Sequence, residues 1–201
     1  GPKIVTKNKL SLDELLASNP TIAVPGLRTT ALASLRILAG ERPISWEPVP
    51  FTEIMDAVID GTFDAGVVIH EGQLTYEEVG LHEVCDLGAW WKNKTNLPLP
   101  LGGNAIKRDM DQRLGEGATK KITTLLLQSI EYAMANREKS LAWASQWGRG
   151  IDIACTDAFV EMYVNRWTLD FGDQGKQAVY AFLEEAAKVN AVPRIETVAF
   201  V

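Results

Sequence analysis

Asp64-Ala-Gly-Val-Val-Ile-His70-Glu-Gly-Gln-Leu-Thr-Tyr76 is the stretch on which the reading of this chain turns. Ala65 to Ile69 is a short apolar run with no polar alternation, as in a strand buried on both faces of an α/β sheet. A single histidine stands where the run stops. In open α/β sheets ligands gather at the carboxyl ends of the strands, and imidazole is the side chain that exchanges a proton near neutral pH. His70, followed by Glu71 and the turn residue Gly72, therefore stands where chemistry is done. The alternative is a satisfied histidine closing a loop, and a lone histidine does not choose between the two.

Working outward toward the N-terminus, strand and helix alternate. Thr52 to Asp60 reads as a helix with Ile54, Val58 and Ile59 on one face, ended by Gly61. Ile44 to Val49 is a strand. Arg28 to Ala39 is a helix that stops at Gly40, and Thr21 to Val24 is a strand broken by Pro25-Gly26. Ser11-Leu-Asp-Glu14 has the form of a capping box, so a short helix starts there, after a strand over Lys3 to Lys7. The β-α-β-α-β order predicts parallel pairing with right-handed crossovers.

Parallel pairing has a geometric consequence. The turns after Val24 and Ile69 then open on one edge of the sheet, which puts Arg28, Thr29 and Thr30 on the same rim as His70. The threonines fall in the first turn of a helix, where free N–H groups and the positive dipole end suit an anion, and their hydroxyls add hydrogen bonds. Ordinary N-capping explains a threonine at this place equally well.

The rest of the chain is less regular and then helical. Leu81 to Leu87 is a strand with His82 near its exposed start, and Ala89 to Lys94 a helix carrying Trp90-Trp91. The tryptophans are expected to pack inside, as large apolar side chains do. Asn96-Leu-Pro-Leu-Pro-Leu-Gly-Gly103 cannot be helical and reads as an extended crossover with Gly102-Gly103 as a hinge, or as a surface loop. Ile122, Leu125, Leu126, Ile130, Ala133 and Met134 make an apolar stripe at helical spacing. Glu138 to Trp147 continues as a helix, and Phe159, Met162, Tyr163 and Trp167, then Val179, Phe182, Leu183 and Ala186, make further stripes. All are read as core surfaces.

Composition removes several functions. The 201 residues carry a net charge of −6 and no basic block, so a nucleic-acid partner is not expected. Mean hydropathy is −0.03 and no apolar run approaches the roughly 18 residues that span a bilayer, so no membrane partner is expected either. Cys85 and Cys155 stand far apart with no close Cys or His spacing. Neither a disulfide framework nor a metal site is indicated, and a cytoplasmic setting fits. There is no Gly-x-Gly-x-x-Gly, Walker loop or Gly-x-Ser-x-Gly elbow.

Five stretches in order carry a resemblance: Ile22-Ala-Val-Pro-Gly-Leu-Arg-Thr-Thr-Ala31, Ile69-His-Glu-Gly-Gln-Leu-Thr-Tyr76, Asp86-Leu-Gly-Ala-Trp-Trp91, Leu97-Pro-Leu-Pro-Leu-Gly-Gly-Asn-Ala105 and Phe159-Val-Glu-Met-Tyr-Val-Asn165. Together they resemble 1,4-dihydroxy-6-naphthoate synthase, a carbon–carbon lyase of the futalosine route to menaquinone. The resemblance implies the two-lobed α/β fold of type II periplasmic binding proteins, used for catalysis in the cytoplasm. It implies conversion of cyclic dehypoxanthinyl futalosine to 1,4-dihydroxy-6-naphthoate, with no metal or organic cofactor. The family's catalytic base, the histidine of Ile-His-Glu-Gly, falls on His70, and its substrate-binding threonine pair on Thr29 and Thr30.

Members of that family carry a substantial segment before the position of Gly1. The resemblance therefore implies residues 1–106 as lobe two with its crossover strands, complete, and 107–201 as helices that pack on a partial lobe one. Ile122, Leu126, Phe159 and Phe182 are then candidates for an apolar patch, covered by a separate N-terminal piece, a second copy of the chain or rearranged helices. Two other readings stand beside the synthase: a small-molecule binding protein of the same fold, and a chorismate dehydratase-like enzyme of the same pathway. A binding protein has no use for a base at His70 and carries an export signal; the Pro25–Thr30 and His70 motifs fit the synthase better than the dehydratase.

Overall fold

The computed structural model describes residues 1–147 and 153–201. The chain has a mixed α/β fold with one sheet and many helices, and it divides into two compact units, Gly1–Leu101 with Gln174–Ile195 and Gly102–Asp173 with Glu196–Val201. Gln174–Ile195, grouped by the sequence reading with the helical part after residue 106, belongs to the first unit.

The first unit is built on strands β1 (Lys3–Thr6), β2 (Thr21–Val24), β3 (Ser45–Pro48), β4 (Ala65–Val68) and β5 (His82–Asp86), in the order β3-β2-β4-β1-β5. Between them run helices α1 (Leu12–Ala17), α2 (Thr30–Ala39), α3 (Ile54–Ile59) and α4 (Gly72–Thr75), a 3₁₀ turn over Tyr76–Val79, and α5 (Leu87–Thr95). Strand residues alternate between two cores because successive side chains leave opposite faces. Ile4, Ile22, Val24, Ala65 and Val67 meet Leu15, Leu32, Leu35 and Leu87 on one face. Val5, Ala23 and Val68 meet Ile54, Val58, Tyr76 and Leu81 on the other. With both faces covered, β4 needs no polar residue, which is why it reads as an unbroken apolar run. Gly66 permits the close approach of α3: a Cβ there would lie 2.5 Å from Ile54 Cγ2.

Pairing direction departs from the sequence reading. β2 is parallel to β3 and β4, as expected, but β1 is antiparallel to both its neighbours, β4 and β5. A helix between two strands enforces parallel direction only when the connection crosses from one sheet edge to the other. The connection through α1 leaves β1 and enters β2 at the same edge, with β4 lying between them. The start of β1 therefore sits beside the carboxyl ends of β4 and β5, with Lys3 opposite Val68 and Asp86.

Local sequence signals are realised in the structure. Ser11 and Glu14 form the capping box of α1, with Ser11 N–H donating to Glu14 Oε2 at 2.8 Å. Gly40 ends α2 at φ 61°, a backbone state that costs a residue with a Cβ. Trp91 is fully buried against Phe182, ring centroids 5.4 Å apart, and its indole N–H donates to the Pro98 carbonyl at 3.1 Å. Phe182 belongs to the last helix, α11 (Gly172–Lys188), and shares a third core with Ala33, Ile37, Trp91 and Ala186.

The second unit consists of α6 (Met110–Leu114), α7 (Ala118–Ala135), α8 (Arg137–Ser145), α9 (Ile153–Tyr163) and α10 (Arg166–Leu169), ahead of α11. Asp111 ties α6 to α7 by accepting from the Thr119 N–H at 2.7 Å, and Arg137 pairs with Asp157 between α8 and α9. The stripe on α7 corrects the reading of a core surface: Ile122, Leu125, Leu126 and Met134 are exposed, as the apolar-patch expectation has it for Ile122 and Leu126, whereas Phe182 on α11, named for the same patch, is buried and Phe159 half-buried. Helical periodicity registers that one face is apolar and carries no information on what covers it.

Candidate active site at the carboxyl edge of the sheet

Three neighbouring parallel strands deliver their carboxyl ends to one edge. Val24 is in register with Pro48 and Ala23 with Gly66, and the ladder continues with the Val49 N–H donating to the Val24 carbonyl at 2.9 Å. The segment after β2 turns at Pro25 and at Gly26, whose φ of 152° suits glycine, and reaches Thr29 at the head of α2. The segment after β4 reaches His70 within two residues. The expectation that Thr29, Thr30 and His70 share an edge follows from this pairing.

His70 has a left-handed backbone, φ 58°, and its carbonyl accepts from the Gln73 N–H at 3.2 Å as the chain turns into α4. Histidine visits this region more often than most residues, yet the conformation still costs about 1–2 kcal/mol. Such outliers gather where a side chain must be aimed. The imidazole is half-buried and packs on the Phe51 ring, centroids 4.5 Å apart and planes at 46°. Below it, Gln73 is buried with its amide satisfied, as is every buried side-chain polar atom among the described residues.

The two threonines divide their work. Thr29 is the N-cap of α2: its Oγ1 accepts from the Leu32 N–H at 3.2 Å and donates to the Gly26 carbonyl at 2.8 Å. Thr30 donates its hydroxyl to the Leu101 carbonyl at 2.8 Å, which holds the end of the proline-rich segment against the head of α2. Their hydroxyl bonds thus run to Gly26, Leu32 and Leu101 and not to His70. What this cradle offers a ligand is hydroxyl lone pairs and the free N–H groups of a helix start.

Other candidates fall away on chemistry. Burial, with the charges of Asp86 and Glu83 behind it, pushes the Cys85 thiol up to about 11, the wrong direction for a nucleophile. Tyr76 is pushed up to about 12 by burial and then by the Glu83 charge, and its hydroxyl sits 3.2 Å from both Glu77 and Glu83. His82 is exposed at the start of β5, the edge opposite His70. Among the described residues no group of three His, Cys, Asp or Glu side chains could hold a metal ion, and no helix is long and apolar enough to cross a membrane. A cavity of about 250 Å³ lined by Arg36, Arg42 and Trp46 lies at the far end of α2 from the threonines. Arg36 there donates to the Val189 carbonyl and lies over the Trp46 ring, so the cavity belongs to α2 packing.

The profile of the menaquinone biosynthesis family matches residues 1–188. The chain belongs to that family. It is 37% identical over 187 residues to a 1,4-dihydroxy-6-naphthoate synthase of Thermus thermophilus, covering 92% of this chain and 65% of that protein. A protein of the same name from Streptomyces coelicolor is 35% identical over 183 residues, covering 87% of this chain and 62% of that one. The chain thus spans a little under two thirds of the length of these relatives. A crystal structure of a protein from Archaeoglobus fulgidus superposes with a TM-score of 0.83 at 36% identity, covering 96% of this chain and 69% of that one. In the structure His70 lies just past β4, and Thr29 and Thr30 stand at the head of α2, which follows the neighbouring β2. The sequence reading missed Phe51, whose only signal was an aromatic residue just past a strand of the same edge.

Proposed function

We propose that this chain forms the catalytic part of a 1,4-dihydroxy-6-naphthoate synthase, a cytoplasmic lyase acting on cyclic dehypoxanthinyl futalosine. The observation that carries the proposal is the parallel register of β2 with β4, which gives His70 and the threonine cradle a common edge, in a chain 37% identical to a synthase of that name. His70, as the neutral imidazole, is the general base. It removes a proton from the substrate, and the released electron pair drives ring opening, loss of the sugar-derived fragment and aromatisation. Thr29 and Thr30 hold the anionic or hydroxylated part of the substrate at the head of α2. No metal or organic cofactor enters the reaction.

The reading includes the two-lobed, periplasmic-binding-protein-like architecture, with residues 1–106 as one lobe and the helices after residue 106, apart from Gln174–Ile195, contributing to the other. The antiparallel β1 supports it. The start of β1, the exit from β5 and Leu101 at the head of α2 all lie at the edge that carries His70. The partner it implies is a small-molecule substrate. Incubating the full-length protein with cyclic dehypoxanthinyl futalosine and following 1,4-dihydroxy-6-naphthoate by mass spectrometry tests the reaction. Product formation supports the synthase, whereas binding of the compound without turnover supports a binding protein of the same fold.

A further inference from the structure

We propose that Phe51 is a positioning residue for His70, an aromatic shelf that fixes the plane of the imidazole and closes one of its faces to water. The proposal rests on the His70 reading above and assigns a residue to that site which the motifs do not contain. Phe51 follows β3, and His70 follows β4; the two strands flank β2 on opposite sides. Neighbouring strands lie about 4.8 Å apart, so the chains carrying these side chains are separated by roughly twice that. The turn after β3 and the residues after β4 nonetheless bring the two ring centroids to 4.5 Å.

Each partner is held from behind. Phe51 packs against the buried cluster of Ile54, Val58, Val68 and Tyr76 on the α3 side of the sheet, and the turn that carries it is closed by the Glu53 N–H donating to the Pro50 carbonyl at 2.8 Å. His70 has its backbone set by the left-handed φ of 58° and by the Gln73 N–H on its carbonyl. The backbone fixes where the histidine Cβ departs, and the ring plane is then set by what packs against it. Helix α2 packs on the opposite face of the sheet, with Ala31, Leu32 and Leu35 in the other core. Phe51 therefore packs on the imidazole from the α3 side of the sheet, the face opposite the one that α2 covers. A base held in one plane meets its proton in line, and misplacement by about 1 Å can cost on the order of 10²-fold in rate.

The test uses Phe51→Leu, Phe51→Tyr, His70→Asn and the double variant F51L/H70N in the full-length protein. Phe51→Leu keeps apolar bulk and the fold but removes the ring. It is expected to lower kcat about 10- to 10²-fold with KM changed less than about threefold, while Phe51→Tyr stays within about threefold of the parent. In the His70→Asn background, Phe51→Leu is expected to cost nothing further, because a positioning residue has no effect once its base is gone. The chain has two histidines, so the His70 imidazole protons are assigned by their loss in His70→Asn. They should carry an upfield ring-current shift that disappears in Phe51→Leu and persists in Phe51→Tyr. Parent-like kcat in Phe51→Leu, a full further loss in the double variant, or an unshifted His70 resonance in the parent would each overturn the role of Phe51. Parent-like turnover in His70→Asn overturns the base assignment instead, and the ring-current result still decides whether the two rings stack.

Discussion

Leu32 and Leu35 on α2 and Leu125 and Leu126 on α7 are leucines at helical spacing on amphipathic helices, yet the first pair is 4% and 0% exposed and the second 65% and 41%. α2 lies on a sheet that offers Ile4, Ile22, Val24 and Val67 to its apolar face. The second unit, to which α7 belongs, buries little beyond Ala118, Leu141 and Thr156 among its described residues. The contrast teaches that the same sequence signal is realised only where a second surface of matching chemistry is present. It also separates the roles of the two units, since the edge carrying His70 is set on the region whose both faces are packed. A base that must be aimed to a fraction of an ångström belongs on such a support.

The comparison breaks first at tryptophan. Trp91→Ala removes a fully buried ring and strands the Pro98 carbonyl, so urea unfolding should show a loss of about 3–5 kcal/mol. Trp143→Ala on α8, where the ring is 62% exposed, should stay within about 0.5 kcal/mol. Equal losses at the two sites would mean that α8 is as tightly packed as the sheet.

Gly66→Ala comes next. The added methyl would lie 2.5 Å from Ile54 Cγ2, so α3 must move away from β4 at a cost of about 1–3 kcal/mol. A neutral result in the same unfolding assay would show that α3 rides loosely on the sheet.

A third difference is confined to alkaline solution. The Tyr76 phenol has an ordinary value of 10 and is raised to about 12 in the folded chain, by burial before any other cause. The folded state thus keeps the proton that the unfolded state gives up first. This contribution to stability is whole below pH 10 and disappears as the pH rises through about 12. The unfolding midpoint of Tyr76→Phe should accordingly fall less steeply than that of the parent over this range; parallel slopes would contradict the buried phenol. The smallest effect is expected on α7, where Leu125→Ala should shift stability by no more than about 0.5 kcal/mol, because the side chain is 65% exposed.

Much of the sheet was legible because its signals are local. The Ser11 and Glu14 capping box, the stop at Gly40, the breaks at Pro25-Gly26 and the apolar run before His70 each act through the residue itself or its near neighbours. The strand direction of β1 was not legible, because it depends on which sheet edge the chain re-enters after α1, a choice made by contacts between Ile4, Val67 and Cys85 far apart in sequence. Thr29 shows a further limit. The sequence allowed a cap or a substrate ligand, and the structure shows the cap in place, with one lone pair of the hydroxyl oxygen engaged by the Leu32 N–H and its proton by the Gly26 carbonyl. Phe51 escaped because an aromatic residue after a strand has no pattern of its own; only the strand order β3-β2-β4 brings it to His70.

The central claim is that an imidazole aimed from the end of β4 is the base of the reaction, and it is tested most directly by turnover of His70→Asn measured alongside substrate affinity. Asparagine keeps a polar side chain and adopts the left-handed backbone readily, so the turn into α4 is preserved while the basic nitrogen is lost. The account predicts a fall in kcat of at least about 10²-fold with substrate affinity retained. Turnover near that of the parent would contradict it.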